Sequence, residues 1–133
     1  LYGVDPDLPG NHLRQRHAYL GLPQRLTKFT NRGLQMPFLI ETFDKPDLQA
    51  LRLEVRQQHL EYLDANVDIL LACGAKLSDD GETASGGIYL LDLDSREEAE
   101  RFIEGDPLHQ AALFDEVKIV RWRQAYLNRK NTL

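Results

Sequence analysis

Between Pro46 and Gly74 the chain carries neither proline nor glycine, and no other feature constrains its fold as much. An unbroken stretch of that length predicts a helix of about five turns, with Asp47 as its N-cap and Pro46 just outside it. The elements around it must be short. Phe38, Ile40 and Thr42 alternate with Leu39, Glu41 and Phe43 and stop at Asp44-Lys45-Pro46, the pattern of a strand rich in β-branched and aromatic residues. Leu70 to Cys73 lead through Gly74 into Ala75-Lys76-Leu77, a second strand kinked or bulged at the glycine. A loop from Ser78 to Ser85 turns the chain into Ile88, Leu90, Leu91 and Leu93, whose continuous apolar character predicts a strand covered on both faces.

Ser95 and Glu98 form a capping box, so a second helix is expected from about Arg96 toward Gly105, burying Ala99, Phe102 and Ile103. Asp106-Pro107 interrupts it. A short helical piece with Ala111, Ala112, Leu113 and Phe114 is expected next, and then a long closing strand from Val117 to Tyr126. Trp122 and Tyr126 are expected to pack on the core face or at a subunit seam. The order strand, helix, strand, strand, helix, strand is the split βαβ arrangement: an α+β, ferredoxin-like βαββαβ domain with a four-stranded antiparallel sheet. Helices on one side leave the other sheet face needing cover. A second copy of the chain, sheet face against sheet face, is the simplest cover, so a homodimer is expected.

At 133 residues the chain has room for one ordinary core. Its 16 basic and 21 acidic side chains are unevenly spread: residues 1–36 carry 5 and 2, and the remainder 11 and 19. The expected organisation is a basic extension over residues 1–36, a folded domain over 37–128 and a tail over 129–133. In the extension, Asn11 is a candidate cap for one short helix, and Arg14, Arg16, Arg25, Lys28 and Arg32 suit docking on acidic surface or a solvated basic arm. A net charge of −5 has the wrong sign for a protein built around phosphates, so no nucleic-acid partner is expected. With Cys73 as the only cysteine, no intrachain disulfide can form, which fits a reducing, cytoplasmic setting. The longest apolar run, Ile69 to Cys73, is too short for a membrane span, and no charged-then-apolar leader opens the chain. The first residue is Leu1, so an upstream segment stays open.

Set on a helical wheel, the stretch from Asp47 to Val67 brings Leu48, Leu51, Val55, Tyr62 and Leu63 into one arc. Within or beside that arc stand Arg52, Arg56 and His59, spanning only about 60° because they follow i, i+4 and i, i+3 steps. A buried, unpaired guanidinium would cost many kcal/mol, so these groups need water, acidic partners within the domain, or an anionic ligand. The bland alternative is that both arginines snorkel to the surface and His59 is a satisfied core histidine.

Other candidates are weaker. His109 follows Asp106-Pro107 closely, but two histidines and one aspartate at unrelated spacings make no metal-ligand pattern, and no metal is expected. Gly81, Gly86 and Gly87 fit no phosphate-binding fingerprint and read as turn residues. Ser78, Ser85 and Ser95 show no nucleophile-elbow pattern, and Cys73 reads as a small apolar residue.

The run Leu51-Arg52-Leu53-Glu54-Val55-Arg56-Gln57-Gln58-His59-Leu60-Glu61-Tyr62-Leu63, followed by Gly74, Gly86-Gly87-Ile88, Ala99, Asp106-Pro107 and Val117 to Trp122, resembles the YCII-related family of small bacterial proteins. The resemblance covers Pro37 to about Asn128. It implies a ferredoxin-like fold dimerised into an α/β barrel, and a His and Asp pair at a pocket, here His59 and Asp106. It also implies acid–base chemistry, since a related protein removes chloride from a chlorinated hydroxyhydroquinone. The chain departs from the family at Leu108, where an aromatic residue usually follows Asp-Pro, and at Arg121, where proline is common.

The chemistry of such a pair follows from its parts. A carboxylate that accepts from one ring nitrogen of histidine fixes the tautomer and leaves the other nitrogen as a better base. His59 is then expected to move a proton, Asp106 to orient it, and Arg56, with Arg52 as a second contact, to hold an anionic or phenolate oxygen. That suits a small lyase or isomerase working without a cofactor on an anionic or phenolic metabolite. The other reading is a non-catalytic dimeric module that binds a small molecule or a partner protein.

Overall fold

A computed structural model describes residues 36–133. The expectations for the basic extension therefore lie outside the described residues, except at Met36. Strand β1 (Phe38–Asp44) is followed by helix α1 (Gln49–Ala65), a single 3-10 turn (Val67–Ile69), β2 (Leu70–Leu77) and β3 (Ala84–Leu91). Helix α2 (Arg96–Gly105), a short α3 (Pro107–Gln110) and β4 (Phe114–Arg121) complete the domain, and a small hairpin of β5 (Tyr126–Leu127) and β6 (Lys130–Asn131) closes the chain. The four long strands form one sheet in the order β2-β3-β1-β4, with every neighbouring pair antiparallel. This is the expected α+β, ferredoxin-like arrangement.

The strand alternation sorts the sheet into two faces. Phe38 and Ile40 of β1 and Tyr89 and Leu91 of β3 point to the helices and build the main core with Ala99, Phe102 and Ile103 of α2. A second cluster, Val55, Leu108 and Leu113, joins the first half of α1 to the segment after α2. On the opposite face Ile88 is 40% exposed and Val120 50% exposed. The described residues thus bury one face of β3, whereas its continuous apolar run predicts two.

Local chemistry explains where the elements begin and end. Helix α2 starts as expected, with the Ser95 hydroxyl accepting from the Glu98 N–H and the Glu98 carboxylate accepting from the Ser95 N–H. Helix α1 does not begin on an Asp47 cap. Its N-cap is Leu48, with no side-chain hydrogen bond, because Asp47 takes a φ of 64° to turn the chain out of β1.

Three other expectations are corrected. The short helix is Pro107–Gln110, where Pro107 suits the first helical position, and Phe114 belongs to β4. The closing strand ends at Arg121 rather than at Tyr126; Tyr126 pairs with Asn131 in the terminal hairpin and is 63% exposed. Gly81 sits in a turn with φ of 78°, but Gly86 and Gly87 lie inside β3. Gly86 is needed there because a Cβ would come within 2.0 Å of the Thr42 carbonyl oxygen.

Leu108 is 1% exposed within the second cluster, and the Arg121 guanidinium lies 4.4 Å over the Phe38 ring. Among the described residues no helix is long and apolar enough to cross a membrane.

Candidate functional site

Helix α1 crosses the β2 side of the sheet without filling the space beneath it. The residues on that part of the sheet are small. Cys73 pairs with Tyr89 and Ala75 with Gly87, so the helix-facing surface stays low where α1 passes over it. A Cβ on Gly87 would already stand 3.3 Å from the Gly74 carbonyl oxygen and 3.5 Å from the Thr42 hydroxyl oxygen. The result is a cavity of about 580 Å³ between α1 and the β2–β3 pair. Leu60, Leu63, Val67 and Leu70 give it apolar walls, and Arg52, Arg56, His59 and Tyr89 bring polar groups to it. A mostly apolar hollow with a few converging polar groups is the usual form of a small-molecule site.

Asp106 lies at the junction of α2 and α3 and is fully buried. Its Oδ1 accepts from the Leu108 N–H at 2.9 Å, which caps α3, and its Oδ2 accepts from the Tyr89 hydroxyl at 2.8 Å. His59 Nδ1 stands 2.9 Å from both carboxylate oxygens. An ionised carboxylate can only accept, so Nδ1 is the donor in this contact, and in the neutral form of the ring the lone pair lies on Nε2. The structure therefore brings together His59 and Asp106, which are 47 residues apart in sequence.

The two arginines part company. Arg52 donates from Nε to Asp44 Oδ2 at 2.7 Å and from a terminal nitrogen to Oδ1 at 3.2 Å, a two-pronged pair that neutralises it. Arg56, one turn further along α1, is exposed and has no hydrogen bond or ion pair among the described residues. Both line the cavity, but among the described residues Arg56 is the one of the two whose positive charge is unmatched.

Two further side chains shape the hollow. Burial, and then the charge of Asp106, push the Tyr89 hydroxyl well above the ordinary phenol range, so it remains a donor. The same two causes raise the Cys73 thiol to about 12, which makes it a wall and not a nucleophile. His109 stands apart, edge-on to Phe114 with ring centroids 6.1 Å apart. No group of three or more histidine, cysteine or acidic side chains among the described residues is arranged to hold a metal ion.

Tyr89 and Asp44 are the participants that the sequence analysis did not single out. Tyr89 carried a signal: it shares the inward parity of Leu91 along β3, and an inward tyrosine needs a partner for its hydroxyl. Asp44 carried none beyond being acidic, because its meeting with Arg52 depends on the angle between β1 and α1.

Fold and cavity define a ferredoxin-like α+β domain with a ligand-sized hollow under its first helix. The model of the YCII-related domain matches residues 36–123, and the chain belongs to the YCII-related family. Among solved structures it is similar to 5-chloro-2-hydroxyhydroquinone dehydrochlorinase from Burkholderia phenoliruptrix, in complex with 2,5-dihydroxybenzoquinone. The two share 28% identity at a TM-score of 0.62, over 67% of this chain and 95% of that one. A crystal structure of an Arabidopsis thaliana protein is more distant, at 12% identity and a TM-score of 0.37 over 70% of this chain and 98% of that one. No curated protein sequence matches the chain significantly.

Proposed function

We propose that the cavity under α1 is the active site of a small lyase or isomerase that moves protons on an anionic or phenolic ring without a cofactor. The observation that carries this reading is the hydrogen-bonded His59–Asp106 pair on a cavity that also presents Arg56, unmatched among the described residues. His59 Nε2 takes a proton from the ring or its hydroxyl, and Asp106 stabilises the imidazolium that forms. Arg56 holds the oxygen on which negative charge collects. Arg52, already paired with Asp44, shapes the wall and adds a weaker second contact.

The similar dehydrochlorinase gives the reaction class a concrete form. Loss of one proton and one chloride from a chlorinated hydroxyhydroquinone leaves a hydroxyquinone, and the balance requires no external oxidant or reductant. His59 would first carry a hydroxyl proton to the ring carbon that bears chlorine, giving the keto form. It would then take a second hydroxyl proton while Arg56 steadies the enolate whose electrons expel chloride from that carbon, now sp3. The apolar walls suit a single planar ring.

The proposed assembly is a homodimer through the open sheet faces. Leu39, Ile88, Leu90 and Val120 share that face by strand parity, together with Lys76, which pairs with Glu41 at 3.1 Å and lies 3.5 Å from the Phe43 ring centroid. A second copy would cover the exposed Ile88 and Val120.

The test is chloride release from 5-chloro-2-hydroxyhydroquinone by wild type and His59→Asn. Loss of a general base is expected to lower kcat about a hundredfold or more, with the melting temperature nearly unchanged. A His59→Asn protein that keeps wild-type turnover would refute the role of His59. A wild type that binds 2,5-dihydroxybenzoquinone but turns nothing over would favour the binding-module reading.

A further inference from the structure

Asp106 is held from three sides, and His59 supplies only one of them. The Leu108 N–H, from the helix that Asp106 caps, holds Oδ1 at 2.9 Å, and the Tyr89 hydroxyl, rising from the sheet, holds Oδ2 at 2.8 Å. With His59 Nδ1 at 2.9 Å from both oxygens, the carboxylate cannot rotate without giving up a bond. Tyr89 is itself fixed. It is 2% exposed and packs edge-on to Phe102, with ring centroids 5.9 Å apart and planes at 77°. It also stands edge-on to His59, at 6.3 Å and 90°.

The Tyr89 ring meets the packing need at this point of the core, and the hydroxyl goes beyond it. The contrast is Tyr62, whose hydroxyl donates to the backbone carbonyl of Phe102. The Tyr89 hydroxyl donates to the ionisable member of the pair. From this geometry we infer that Tyr89 is a positioning residue: its hydroxyl locks the Asp106 carboxylate, and through it keeps His59 in the Nδ1–H tautomer with Nε2 free for the substrate. The inference rests on the reading of His59 as the proton-moving group. Burial and the neighbouring Asp106 charge keep the hydroxyl protonated, so the lock stays closed through neutral and moderately alkaline pH.

Tyr89→Phe removes the hydroxyl and keeps the ring. In wild type, imidazole nitrogen shifts in an NMR spectrum should show one neutral tautomer of His59, with its proton on Nδ1. In Tyr89→Phe both tautomers should be populated, and kcat for chloride release from 5-chloro-2-hydroxyhydroquinone should fall about tenfold, in the range typical of groups that orient a histidine, with KM little changed. A Tyr89→Phe protein that keeps the single Nδ1–H tautomer overturns the inference. The tautomer readout needs no substrate, so absence of turnover in wild type would count against the proposed reaction and not against this role of Tyr89. Should Tyr89→Phe fail to fold, wild type decides. A slowly exchanging Tyr89 hydroxyl proton with a cross-peak to the His59 ring supports the lock, and its absence overturns it.

Discussion

Helices α1 and α2 cover the same face of one sheet but bury different shares of it. In α2, Ala99, Phe102 and Ile103 are 0–3% exposed and interlock with Phe38, Ile40 and Leu91. In α1, which is 17 residues long, only Val55, Leu60 and Ala65 are buried, and a cavity of about 580 Å³ separates its middle from β2 and β3. One difference in sequence accounts for much of this. The sheet under α2 presents Phe38, Ile40 and Leu91, whereas under α1 it presents Cys73, Ala75 and Gly87. Large side chains on both layers make a packed core; small ones on the sheet with Arg52, Arg56 and His59 above them make a hollow that groups of the helix can enter. The close-packed core and the cavity thus divide a single sheet face between them.

Substitutions on the two sides should fail differently. Phe102→Ala, in the filled half, should cost about 3–5 kcal/mol of folding stability, read by denaturant unfolding. If it instead lowers ligand binding while stability holds, the two halves are not separate. His59→Asn should do the reverse, losing turnover by about a hundredfold or more while melting stays close to wild type.

Arg56→Ala is the next largest change on the hollow side. A charge-assisted contact at a partly exposed position supports about a tenfold weaker Kd for 2,5-dihydroxybenzoquinone, measured by calorimetric titration, with folding unaffected. Arg52 sharpens the contrast: because Asp44 already pairs with it, Arg52→Ala should weaken the ligand less than Arg56→Ala does.

The smallest expected effect concerns the floor of the cavity. The Cys73 thiol, raised to about 12 in the folded chain, keeps its proton while an unfolded chain gives it up near the ordinary thiol value of 9.0. The unfolded state therefore binds fewer protons between those two values. Stability present below pH 9 should decline as pH rises toward 12, and Cys73→Ala should flatten part of that decline in a pH series of unfolding curves. Tyr89, also raised, contributes in the same direction and would remain.

Much of this contrast was legible in the chain. Periodicity gave the order of the six main elements, and the Ser95–Glu98 box gave the start of α2, because both are set by neighbours close in sequence. The cluster of Arg52, Arg56 and His59 was legible for the same reason, since one helix face brings them together. Elements whose limits depend on tertiary contacts were not. Asp47 was taken up by the turn out of β1, and the end of β4 at Arg121 is fixed where its pairing with Phe38 runs out. As the partner of His59, Asp106 came into view only through resemblance to the family. Its position relative to His59 is a matter of how α1 meets the α2–α3 junction, and no local pattern records that angle. The lock from Tyr89 lay further still from view, because it joins a strand to a helix junction across the core.

The central claim is that the hollow under α1, and not the open sheet face, takes the ligand. Titrating 2,5-dihydroxybenzoquinone into the labelled protein and following backbone amide shifts by NMR tests it most directly. The account predicts saturable shifts at Arg56, His59, Gly74, Gly87 and Tyr89, with Lys118 and Val120 unmoved. Shifts centred on Leu39, Ile88 and Val120, or none at saturating ligand, would contradict it.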